Sequence, residues 1–407
     1  MLSKTKISFG GFVIGAIGSL VFIFLVPLYY SAKVSAEEQW KEKAAVCYET
    51  NVNDDEKINC WFEIIREKFT TGGTQKAFDV FEYVYQNYDV FANTGCHRHA
   101  HRVGDLSYYF DYFNHKDFSK MDFPRNAVAC GYGFYHGFFE HLIQDNPDPE
   151  FVTTVCEYMR NNLYEVAPAI SQTCYHGSGH GFTLARADLW ISDSQWTTDA
   201  FIDEPLKQCE SLSDADEYEI SECRQGVYNV IVDWMADGEY GMTYNRDNPF
   251  AFCDSEEYHH QPDCYYEMAQ KMDSVSDHDP VKAVEIAKRA VREDLWSTII
   301  KVAIAGMVQH DPKGDQSRLV TACRLVTLDL LEVCLQSIVS GLIEHNTGGQ
   351  DFSNVISFCA NDEFSEIESD LCYEGLAKRL DRFYTKIEIK ESCEFGVYPE
   401  KLCIYVP

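Results

Sequence analysis

Basic residues are scarce in this chain: 34 lysines and arginines stand against 65 aspartates and glutamates, a formal net charge of −31 over 407 residues. An excess of that sign repels phosphate backbones, so no nucleic-acid partner is expected. It suits solubility or the attraction of cations instead. Cysteines at CxxC spacing are missing, which excludes zinc-ribbon and thioredoxin-type motifs. There is no GxSxG, P-loop, GxGxxG, HExxH or EF-hand loop, and covalent haem is excluded because CxxCH is absent. Disorder is excluded by composition, since 25 Tyr and 26 Phe supply ample apolar area for a core.

Only one long apolar run is present. From Ile7 to Ala32 no residue is charged, which exceeds the ~20 residues that cross a bilayer as a helix. Lys4 and Lys6 precede it and acidic sequence follows, so the positive-inside rule predicts a cytoplasmic stub at 1–6 and a transmembrane anchor at 7–32. The remainder then lies outside a cell membrane that it crosses once. The rival expectation is a signal peptide cleaved near Ala36 and a secreted protein, because Val34-Ser35-Ala36 offers small residues to a peptidase. Glycines 10, 11, 15 and 18 give the span a face that could meet another membrane or envelope protein.

Sixteen cysteines agree with an oxidising compartment. Seven close pairs, Cys47/Cys60, Cys156/Cys174, Cys209/Cys223, Cys253/Cys264, Cys323/Cys334, Cys359/Cys372 and Cys393/Cys403, leave Cys96 and Cys130 to pair with each other. Eight disulfides are expected. Aligning the chain on Cys60, Cys96, Cys130, Cys174, Cys223, Cys264, Cys334 and Cys372 exposes a period of mostly 34 to 49 residues. The wider gap after Cys264 has room for a unit without cysteine at 294–310. Glycine follows the anchor by three residues at Gly133, Gly177, Gly226 and Gly375, where a missing side chain lets a neighbouring backbone approach. Each unit reads as helix A, an acidic loop and helix B, with the disulfide tying the loop ends. The expected fold is all-α: an α-solenoid of about eight disulfide-stapled hairpins over 37–390, behind the transmembrane helix, with a disulfide-closed cap at 391–407.

Seven of thirteen histidines fall in three consecutive B helices, within GCHRHAHRVGD, CGYGFYHGFFEH and CYHGSGHGF. His97 with His101, His136 with Glu140, and His176 with His180 are each four apart, hence on one helical face. Stacked in register, the units gather His97, His101, His136, His176 and His180 as ligands of a transition metal ion, Zn, Fe or Cu, with Glu140 as base beside a bound water. Later units carry Asn229, Gln270, Ser340 and Lys378 at the same offset, so the repeat does not itself demand histidine. Asp105 and Asp233 are placed to orient imidazoles or to face solvent. His99 and His141 lie off the shared face, and His259 with His260 are expected to be solvated. Two functions compete: a metal-binding protein, with hydrolysis the default chemistry and oxidation the second, or a metal-free scaffold of the cell envelope whose histidines only fill helical interfaces.

Overall fold

In the computed structural model the described residues are 39–50, 53–113, 116–117, 121, 123–128, 130–165, 167–190, 198–308, 316–344, 352–380 and 383–406. The anchor expected at 7–32 lies outside them; among the described residues no helix is long and apolar enough to cross a membrane. The chain divides into two units, Met1–Ile64 and Ile65–Pro407. In the first, helix α1 (39–50) and the start of α2 (Asp54–Asn87) are joined by Cys47–Cys60, and the Trp61 indole donates to the Ala44 carbonyl at 2.9 Å.

The protein is all-helical, with no strand among the described residues. In the second unit the order continues with α3 (Asp89–Asn93), α4 (Cys96–Ser107), α5 (Gly133–Asp145), α6 (Pro149–Leu163), α7 (Ile170–Trp190), α8 (Thr198–Glu210) and α9 (Glu217–Asp237). Then come α10 (Ala251–Ser255), α11 (Gln261–Gln270), α12 (Met272–Val275), α13 (Pro280–Ala287), α14 (Trp296–Val308), α15 (Ser317–Arg324) and α16 (Leu328–Glu344). The last are α17 (Ser353–Cys359), α18 (Glu366–Leu380), α19 (Lys386–Glu394) and α20 (Glu400–Cys403).

All eight disulfides form in the expected pairing, and no described cysteine is free. Seven of them join successive helices: α1 to α2, α6 to α7, α8 to α9, α10 to α11, α15 to α16, α17 to α18 and α19 to α20. Each short loop so closed contributes ~2–4 kcal/mol, mainly by restricting the unfolded chain. The cysteine-free unit is present as α13 and α14. The anchor cysteine opens helix B at α4, but in α7, α9, α11, α16 and α18 it lies inside the helix. Helix α9 starts six residues before Cys223, because Asp216 and Glu219 form a reciprocal capping box inside the stretch that reads as an acidic loop. In α18 Ser365 and Glu368 bond reciprocally in the same way.

The B helices form a row in which each packs on the next: α4 on α5, then α7, α9, α11, α14, α16 and α18. Glycine sets their separation, as the recurring offset suggests. A methyl group built on Gly133 would touch the His97 carbonyl, one on Gly226 the His176 carbonyl, and one on Gly375 the side chain of Gln336. The row also bends. Phe383, just past α18, lies against Tyr132 at the entrance to α5, their ring centroids 6.0 Å apart and both side chains buried.

Candidate metal centre

Three neighbours in the row, α4, α5 and α7, carry the histidines. Their backbones meet closely because Gly137 faces the His101 carbonyl, and Gly181 packs against Ile143 and the backbone of Glu140. Short imidazole arms can therefore span from one helix to the next. All five expected rings meet in one continuous cluster. Centroid separations are 4.9 Å for His97–His136, 4.8 Å for His136–His176, 5.0 Å for His176–His180 and 6.1 Å for His180–His101.

Within the cluster the roles divide. A carbonyl only accepts, so His97 donates from Nδ1 to the Cys130 carbonyl at 2.9 Å, which leaves Nε2 as its lone-pair nitrogen. His136 Nδ1 then donates to that nitrogen at 3.1 Å. Burial, reinforced by His176, His97, His180 and His101 around it, holds the His136 pKa well below the ordinary histidine value, so this ring is neutral. Glu140 Oε2 lies between two other rings, 3.2 Å from His101 Nε2 and 3.0 Å from His180 Nδ1. One ligand atom each from His101, Glu140 and His180 lie within 4.8 Å of one another. The two measured separations are near the ~3.3 Å edge of a tetrahedron with ligand bonds of ~2.0–2.1 Å. His97, His136 and His176 adjoin this triad.

Charge reinforces the distinction. Burial alone would lower the His101 pKa, but Glu140 and Asp105 outweigh it and hold it up at about 10. Burial likewise works to raise the Glu140 pKa, and the His101 and His180 rings pull it well below the usual carboxylate range. The triad thus holds a buried carboxylate whose neighbouring positive charge is a proton on His101. At the far side of the pair, His180 Nε2 is buried with no hydrogen-bond partner.

Supporting groups are only partly those expected. Asp105 does orient an imidazole, 3.4 Å from His101 Nδ1, and His141 backs it at 3.5 Å while stacking on Tyr108. Asp233 is not at the site, being paired with Lys271. His99 is purely structural: it stacks on Phe91, shares a 2.9 Å hydrogen bond with Thr94, and burial with Arg98 and Arg102 lowers its pKa to about 3. Glu222, 3.8 Å from His176 Nδ1, went unmarked in the sequence because it directly precedes an anchor cysteine. His260 is buried rather than solvated and bonds Glu210 at 2.8 Å, whereas His259 is exposed as expected.

Beyond the histidine repeats the same face changes chemistry. Asn229 donates to Glu267 Oε2 at 2.6 Å and Gln270 at 2.7 Å. Glu267 is fully buried, its Oε1 has no hydrogen-bond partner, and burial drives its pKa well up. A buried carboxyl pinned by two amides, and biased by burial toward its neutral form, thus lies beyond the imidazoles along the row. No protein-family model, no curated protein and no solved structure matches the chain.

Proposed function

We propose that this chain is an extracytoplasmic metalloprotein in which His101, Glu140 and His180 hold one transition metal ion. The observation that carries the reading is the convergence of His101 Nε2 and His180 Nδ1 on one oxygen of the buried Glu140 carboxylate. A bound ion there takes the place of the proton on His101 as the positive partner of the buried carboxylate. Two imidazoles and a carboxylate suit Zn²⁺, Fe²⁺ or Cu²⁺. Here Glu140 serves as a ligand rather than the base of the initial reading, because both rings already address its oxygen.

Three protein ligands leave a coordination position for water, and a metal in such a site lowers that water's pKa toward 7, which makes hydrolysis the default chemistry. The chain's own residues supply orientation: Asp105 fixes the His101 ring from its Nδ1 side, and Cys130 through its carbonyl fixes His97. In the same reading, the bending row of B helices is an α-solenoid, and 7–32 anchors it in a cell membrane. Eight disulfides support an exterior, oxidising location.

Elemental analysis of the full chain purified in detergent tests this. About one equivalent of transition metal is expected, lost in the His101→Ala/His180→Ala variant. A folded, metal-free wild-type protein that also refuses added Zn²⁺, Fe²⁺ and Cu²⁺ would overturn it, and would favour the scaffold.

A further inference from the structure

A second group of donors lies apart from the buried triad and shares no residue with it. Glu210 ends α8; His259 and His260 sit in the turn before α11. One ligand atom from each lies within 4.8 Å of the others. Both imidazoles address the same carboxylate oxygen, His260 Nε2 at 2.8 Å and His259 Nε2 at 3.5 Å from Glu210 Oε1, with ring centroids 3.9 Å apart. His260 is buried, while the His259 and Glu210 side chains are 57% and 41% exposed. The group is therefore open to solution on one side and walled on the other.

Both arms are fixed covalently. Glu210 follows Cys209 of the Cys209–Cys223 bridge, and the two histidines lie inside the loop closed by Cys253–Cys264. Donors held this way lose little freedom when they converge on a ligand. The Glu257 carboxylate stands 3.5 Å from His259 Nδ1, on the opposite edge of the ring from Glu210. A carboxylate behind an imidazole fixes its tautomer and raises the basicity of the other nitrogen.

We propose that Glu210, His259 and His260 form a second, solvent-exchangeable site for a borderline divalent cation such as Zn²⁺ or Cu²⁺. The ion takes Nε2 of each ring and one carboxylate oxygen, with Nδ1–H of His259 given to Glu257. Because these residues belong to successive disulfide-closed hairpins, a bound ion cross-links them. The net charge of −31 raises the local concentration of cations around it.

The test is Zn²⁺ titration of the full chain, purified in detergent and stripped with chelator, followed by calorimetry and elemental analysis. Glu210→Gln/His259→Ala changes only exposed side chains, and an unchanged metal-free melting temperature confirms its fold. That variant is expected to take up one equivalent less than wild type, or to bind the weaker equivalent at least ~10-fold less tightly. His101→Ala/His180→Ala should keep this weaker equivalent, which separates the present site from the buried one. Equal stoichiometry and affinity in wild type and Glu210→Gln/His259→Ala would overturn the proposal. So would complete loss of zinc binding in His101→Ala/His180→Ala.

Discussion

Replacing Gly137 by alanine adds one methyl group where α5 packs closely on α4. Built on the present backbone, that Cβ touches the His101 carbonyl oxygen, and stands 2.9 Å from its carbon and 2.5 Å from Asp105 Oδ1. Carbons meet at ~3.5 Å, so the helices must separate by more than half an ångström, and the obstacle is backbone rather than a flexible side-chain end. Overpacking of this kind costs ~1–3 kcal/mol. Alanine returns up to ~1 kcal/mol through helix propensity. A net loss of ~1–2 kcal/mol follows, a fall in melting temperature of roughly 1–3 °C for a unit as large as Ile65–Pro407. Gly306→Ala in α14 is the control. Its Cβ would meet nothing nearer than the Gln270 carbonyl at 3.5 Å, so the propensity gain stands alone and the protein is stabilised by ~0.5–1 kcal/mol. Thermal unfolding by circular dichroism compares the two. Gly137→Ala also moves His101 away from Glu140, so its metal content should fall with its stability. A Gly137→Ala protein as stable as Gly306→Ala would refute the claim that glycine sets the helix spacing at the histidine cluster.

Two further predictions concern the frame. Cys156→Ala/Cys174→Ala opens the α6–α7 loop, whose sequence separation is 18, and should lower stability by ~3 kcal/mol in denaturant titrations; no change would mean the unfolded chain is not restricted there. Glu267→Gln keeps the shape of the buried carboxyl and removes its titration. Because the folded pKa of Glu267 is raised, its contribution is complete below the unfolded value of ~4.3 and is lost as pH rises toward the folded one. The variant should therefore gain on wild type as pH goes from 4 to 8, and parallel stability–pH profiles would count against a buried protonated acid.

Much of the local design was legible in the sequence, and the reason is periodicity. Cysteine spacing named all eight bridges, and the offset of glycine from cysteine marked where helices touch. The four-residue spacing of His97–His101 and His176–His180 placed all five rings together. What escaped was whatever depends on orientation across helices. Spacing alone does not tell which nitrogen of His97 is spent on a carbonyl, nor that only His101 and His180 share a carboxylate. Capping boxes such as Asp216/Glu219 are visible as a pattern, but the acidic run around them reads as loop. The His259–His260 doublet is adjacent in sequence, and its partner Glu210 comes from a different hairpin. The contact of Phe383 with Tyr132 joins residues far apart in the sequence, and no single repeat announces it.

That contact has a consequence for how the molecule comes into being. An open array of repeats is close to additive, so its end units fray or can be trimmed with little effect on the rest. Here a residue near the end of the chain seals an aromatic ring at the doorway of the second histidine-bearing helix. As the polypeptide emerges from its N-terminal end, α4, α5 and α7 are complete long before Phe383 exists, and Tyr132 lacks that contact until then. Shortening the chain at residue 380 would remove the Phe383 contact from that ring, so damage there is felt one helical turn from His136 of the histidine cluster.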